Sequence, residues 1–224
     1  MEYTLSLALV DFLPVTFTAI GFYFLYKMIS HVNPQQGKIA IIGAILVVMG
    51  GLLKAIWKTI MASTGGATNI VWMDDGLFAW MAPGYVILAW SVWQAVRSVR
   101  GQKTYHPWFA PVIIAILTLA FAYKLFAAQS DRWNLILLIV MVLATVITSV
   151  LLIIFAFRQK LPLAGALFII NIVCVFILSG LARIPEQTIA LQWTEESINS
   201  ISWLCFAIAA KQVYENTRDN FGVR

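Results

Sequence analysis

The sequence predicts an all-α integral membrane protein, a bundle of seven transmembrane helices forming one domain over residues 1–224. Three observations carry that expectation. The chain is 61% hydrophobic and only 11% charged, with a mean hydropathy of +0.86, whereas soluble domains carry roughly a quarter charged residues. Seven apolar stretches each reach the roughly 20 residues that a helix needs to cross a bilayer. None of them alternates with period two, which a transmembrane barrel strand would do.

The stretches follow in order along the chain. The first, about 5–28, opens with "MEYTLSLALVDFLP", which lacks the basic start and small-residue cleavage site of a signal peptide, so a retained helix is expected. "HVNPQQGK" turns the chain into the second, about 38–61, and "STGGATN" into the third, about 70–96. Pro83 and Gly84 fall in the middle of the third, where a kink is expected. "RGQKTYHP" leads to a fourth helix at about 107–128 and "QSDR" to a fifth at about 133–157. "RQKLP" leads to a sixth at about 162–183, and "RIPEQ" to a seventh at about 189–214.

Lys27, Lys38, Arg97, Arg100, Lys103, Arg158, Lys160, Lys211, Arg218 and Arg224 collect at one set of helix ends, against Lys58, Arg132 and Arg183 at the other. Basic residues favour the cytoplasmic side. The N-terminus is therefore expected outside and the C-terminus inside, in a bacterial inner membrane or a plasma membrane. The net charge of +5 follows from this asymmetry, and no nucleic-acid partner is expected. Cys174 and Cys205 lie within apolar stretches and read as packing residues.

The acidic residues gather in the outer half: Glu2, Asp11, Asp74, Asp75, Asp131, Glu186, Glu195 and Glu196. Lys54 lies sixteen residues beyond Lys38, about 24 Å up the second helix at 1.5 Å per residue. Lys58 stands one turn higher on the same face, and Lys124 near the outer end of the fourth helix. Ionisable residues at membrane depth are costly and usually face a bundle interior or a wet cavity. On the seventh helix Gln192, Glu195, Asn199 and Ser202 share one face by their spacing, with Glu195 expected as the central carboxylate and Glu196 about 100° away. Trp57 and Trp80 lie deeper, between charged neighbours, where each either walls the pocket, offers it a cation–π face or serves in packing, while Trp72, Trp133 and Trp193 read as interface anchors. The expected ligand-binding set is Asp11, Lys54, Lys58, Asp74, Asp75, Trp80, Lys124, Gln192, Glu195, Glu196, Asn199 and Ser202. No metal and no cofactor is expected, since His31 and His106 are the only histidines and both fall in loops.

"WMDDGLFAW" (72–80) and "WTEESINSI" (193–201) each place an acidic pair two residues after a Trp. "GKIAIIGAI" (37–45) and "QKLPLAGAL" (159–167) share Lys, Gly and Ala at nearly the same offset. These matches predict a 3+1+3 parallel repeat: repeat one over about 5–97, a linker helix at about 107–128, and repeat two over about 133–218. Parallel repeats are a transporter architecture. Crowded carboxylates at low dielectric hold protons more tightly and titrate as a set, which suits proton-coupled transport or pH sensing.

With "GFYFLYK" (21–27) ending the first helix, "DGLF" (75–78) in the third, and carboxylates on helices three and seven, the outline resembles microbial opsins. That family's retinal lysine would fall one turn past the acidic pair of the seventh helix. Asn199 and Ser200 stand there, and Lys211 lies too near the inner end, so the resemblance implies the helical outline without covalent retinal.

The function expected is a small membrane carrier or ligand-binding sensor with an outward-facing charged pocket, taking a small polar or charged ligand and contacting membrane lipid. A homo-oligomer stays open. The alternatives are a membrane-embedded acid/base hydrolase acting on lipid, and an accessory subunit of a membrane complex or an opsin-like protein without its lysine.

Overall fold

A computed structural model describes residues 4–127, 133–182, 184–186 and 188–220. Glu2, Asp131, Arg132, Arg183 and Arg224 lie outside the described residues, as do the side chains of Asp74, Asp75 and Trp133. Every regular element among the described residues is a helix: α1 (Leu5–Val10), α2 (Phe12–Val32), α3 (Pro34–Ser63), α4 (Val71–Asp75), α5 (Leu77–Val99), α6 (Phe109–Ala127), α7 (Trp133–Arg158), α8 (Pro162–Leu181) and α9 (Ile189–Asn220).

Five helical segments are long and apolar enough to cross a membrane: Leu5–Val32, Pro34–Ser63, Val71–Val99, Leu135–Arg158 and Pro162–Leu181. The sequence predicts two more, in the segments that form α6 and α9. Both are helical. α6 runs over 19 residues, Phe109–Ala127, with Lys124 in its last turn, and α9 carries Gln192, Glu195, Glu196, Asn199 and Lys211 among its apolar residues. Large apolar side chains face outward on most of the long helices, among them Leu119 at 66% and Leu143 at 57% exposure. Such a surface would associate in water and is compatible with an integral membrane protein.

The helix boundaries follow from local chemistry. Asn33 caps α3 by accepting from Gln36 N–H at 3.2 Å, and Pro34 occupies the first turn, where its missing N–H costs nothing. Pro162 opens α8 in the same way. Gly65 and Gly66, both at positive φ, end α3 in a turn that a side chain would strain. The first span is interrupted at Asp11, between α1 and α2. Pro14 explains the break: it has no N–H to donate to the carbonyl of Val10, and its ring crowds that carbonyl.

Each long helix except α6 packs between two neighbours. α2 lies on α3, α3 on α5, α5 on α7, α7 on α8, α8 on α9, and α9 returns to α2. α6 stands outside this ring, against α5 and α7. α3 and α5 cross closely at Gly43 and Gly84, where a Cβ on either would come within 2.8 Å of the other's carbonyl oxygen. Pro83 is accommodated inside α5 beside this crossing. An aromatic cluster fills the middle of the ring: Phe22 meets Tyr85, Trp203 and Phe206 edge-on, and Phe168 joins Phe206.

Candidate functional site: a charged cavity beside the first helix break

The break at Asp11 turns an aspartate toward the ring, where it is 5% exposed. Across from it, Lys58 of α3 brings its ammonium to 2.6 Å from the Asp11 carboxylate and 2.9 Å from Glu196 of α9. One cation thus joins the first, second and last long helices. Opposite charges brought together offset the cost of taking each from water. One turn along α3, the Lys54 ammonium lies 4.2 Å from the centre of the Trp57 ring, a cation–π distance. The Trp57 indole in turn donates to Asn69 Oδ1 at 3.0 Å, tying the loop after α3 to the helix.

These residues wall a cavity of about 220 Å³. Asp11, Lys54, Lys58, Glu196 and Asn199 supply its polar side, and Val47, Leu77, Met81 and Trp203 its apolar side. Pro14 and Thr18 also line it. The Thr18 hydroxyl donates to the Pro14 carbonyl at 2.6 Å, so it is already engaged within α2. Trp203 packs on Phe22 and Phe206, which places the aromatic cluster next to the cavity.

Of the residues singled out from sequence, the structure brings Asp11, Lys54, Lys58, Glu196 and Asn199 to one cavity. Others go elsewhere. Glu195 does not line it; the side chain that pairs with Lys58 is Glu196. Trp80 is 40% exposed, and its neighbours Leu77 and Met81 line the cavity instead. Ser202 is buried against α8, where the Asn171 amide donates to its hydroxyl at 2.9 Å and to its carbonyl at 3.1 Å. Gln192 is buried away from the cavity, and its Oε1 has no hydrogen-bond partner among the described residues. Lys124 is exposed on α6, outside the ring. Asp74 and Asp75 belong to α4, next to α3; their side chains are outside the described set.

The displacements on α9 and α5 share one cause. On α9 the cavity face is Glu196, Asn199 and Trp203: it keeps Asn199 of the expected stripe and takes Glu196 and Trp203 in place of Glu195 and Ser202, a turn of roughly 50° at 100° per residue. On α5 it is Leu77 and Met81 rather than Trp80. Sequence spacing identifies a face but not its rotation, which here follows from the Asn171–Ser202 contact on α9 and the Gly43–Gly84 crossing on α5. Pro14, Thr18, Met81 and Trp203 were not anticipated as lining residues. Trp203 could have been: Glu196, Asn199 and Trp203 have the same i, i+3, i+7 spacing as the stripe expected beside them.

Residues 114–217 match the model of a family of unknown function, DUF6796. The match runs from α6 into α9, so it includes Glu196, Asn199 and Trp203 and omits Asp11, Lys54 and Lys58. No curated protein and no solved structure matches the chain.

Proposed function

We propose that the chain is a seven-helix membrane protein, N-terminus outside, whose outward-facing charged cavity binds a small polar or charged ligand as a carrier or ligand-binding sensor. The observation that carries this reading is the Lys58 ammonium held between Asp11 and Glu196 on the wall of a cavity. Salt-bridged side chains that serve only to staple helices need no adjoining space.

The cavity offers charges of both signs beside an apolar wall. At about 220 Å³ it is smaller than sites for drug-sized molecules, which run roughly 300–1,000 Å³. It suits a compact metabolite of few heavy atoms, a zwitterion or a small carboxylate or amine, that competes for the Lys58 pairings. The outward orientation rests on the distribution of Lys and Arg between helix ends. The 3+1+3 repeat draws support from the ring. α2–α3–α5 and α7–α8–α9 keep the same neighbour order, each set closes onto the first helix of the other, and α6 stands outside as a linker would. A carrier with such repeats places its substrate near their interface, and the cavity lies where α2 and α3 of the first set meet α9 of the second.

The test is thermal unfolding of the purified full chain in detergent, wild type against Glu196→Gln, with a panel of small amino acids, carboxylates and amines. Binding to the folded form raises the melting temperature by mass action. A compound that shifts wild type and not the variant supports the cavity as a binding site, and radiolabelled uptake into vesicles then separates carrier from sensor. If no compound shifts wild type and the variant is merely less stable, the ion pairs are staples and the accessory-subunit reading takes over.

A further inference from the structure

A second region of the molecule has the form of a ligand site, and it is independent of the charged cavity. Because α6 stands outside the ring, its contacts with α5 and α7 leave apolar space on both sides. One cavity of about 440 Å³ is lined by Trp90 and Trp93 of α5, Ile114 of α6, and Leu143, Ala144 and Ile147 of α7. Another of about 480 Å³ extends toward Ala79 and Leu119, and the two share Val86, Ile114 and Val140 in their walls. Each falls in the size range of small-molecule sites.

The end of this space near Trp93 is strongly basic. The Arg97 guanidinium lies 5.0 Å from the Trp93 ring and 5.1 Å from the Tyr105 ring. Its Nε donates to the Lys103 carbonyl at 2.9 Å, and no carboxylate pairs with it among the described residues. Arg100 and Lys103 are exposed close by in sequence, and the chain has no Asp or Glu between Gly76 and Ser130. The loop that presents these charges is fixed. The buried Gln94 side chain donates to the Tyr105 carbonyl at 2.8 Å and accepts from the Tyr105 N–H at 3.1 Å, and Tyr105 stacks on Trp93 at 5.7 Å.

We infer that this region binds one anionic phospholipid, with its phosphate on Arg97 and Lys103 and an acyl chain in the α5–α6–α7 cavity beside Trp90 and Trp93. The dimensions agree. From Arg97 to Val86 is eleven residues, about 16 Å of helix at 1.5 Å per residue, close to half of a roughly 30 Å hydrocarbon core. Guanidinium groups suit phosphate because they can donate two parallel hydrogen bonds.

The experiment uses the full chain in a neutral detergent with dioleoyl phosphatidylglycerol or dioleoyl phosphatidylcholine added. Native mass spectrometry reads the retained lipid, and thermal unfolding reads the stabilisation. Phosphatidylglycerol should be retained and should raise the melting temperature, and phosphatidylcholine should do neither. Arg97→Gln should weaken phosphatidylglycerol retention roughly fivefold, the usual effect of one basic residue at an anionic lipid surface. Leu143→Trp, at an exposed lining position that tolerates a larger side chain, should reduce retention by filling the cavity. Equal retention of both lipids, or unchanged phosphatidylglycerol retention in both variants, overturns the inference. Loss in Arg97→Gln alone removes the acyl-chain part and leaves a headgroup contact only.

Discussion

Two polar contacts on α9 lie about one and a half turns apart and differ in kind. At Glu196 the helix faces a cavity and shares the Lys58 ammonium with Asp11. At Ser202 it meets Asn171 of α8 in a closed exchange: the Asn171 amide donates to the serine hydroxyl and carbonyl, and the serine hydroxyl donates back to the Asn171 carbonyl at 3.2 Å. Both Asn171 and Ser202 are buried, at 3% and 0% exposure, and neither borders the charged cavity. The neutral pair answers its own hydrogen-bonding needs and fixes a helix crossing. The charged set borders space in which a ligand could take over one of its partners. A polar stripe at helical spacing can therefore serve two purposes within a few residues, and the space next to each group tells them apart.

Substitutions at six positions test that contrast. Lys58→Met should have the largest effect. It strands two carboxylates, and breaking a buried ion pair typically costs roughly 3–5 kcal/mol, so melting in detergent should fall furthest here. Adding Asp11→Asn and Glu196→Gln to it should recover most of that stability without restoring any ligand response, because no buried charge is then left unpaired. Glu196→Gln alone removes one of the two partners and should cost about 1–2 kcal/mol, with loss of any ligand-induced stabilisation. Asn171→Leu should cost less, since hydrogen bonds between membrane helices average about 0.6 kcal/mol and reach about 1.7, and it should leave the ligand response intact. A ligand response lost in Asn171→Leu would join the two contacts into one site and break the distinction. Smallest of all, Glu195→Gln and Lys124→Gln should each stay within about 0.5 kcal/mol with unchanged ligand response. A large effect of Glu195→Gln would move the centre of the site back by one residue.

Much of this arrangement is legible in the sequence. The helical class, the turns at "HVNPQQGK" and "STGGATN", and the level at which Asp11, Lys58 and the Glu195–Glu196 pair lie all follow from hydropathy, turn residues and rise per residue. The break at Asp11 was legible in principle too, because Pro14 cannot supply the bond that would carry the helix through it. The outward turn of Lys124 was not. The repeat marks α6 as a linker, but its sequence is as apolar as its neighbours, and nothing in that composition says that Lys124 would be exposed on a helix outside the ring.

The sequence by itself determined the helical class, the long apolar segments suited to a bilayer, and the level of Asp11, Lys58 and Glu196 along their helices. These follow from local quantities: the apolar length of each segment, the turn chemistry between segments, and the distance of each charge along its helix. The tertiary structure alone decided that Glu196 and not Glu195 meets Lys58, that Met81 and not Trp80 lines the cavity, and that Ser202 turns toward Asn171. Each of these depends on the rotation of a helix about its own axis. Spacing along the chain leaves that angle undetermined, and only the packing of one helix against its neighbours sets it.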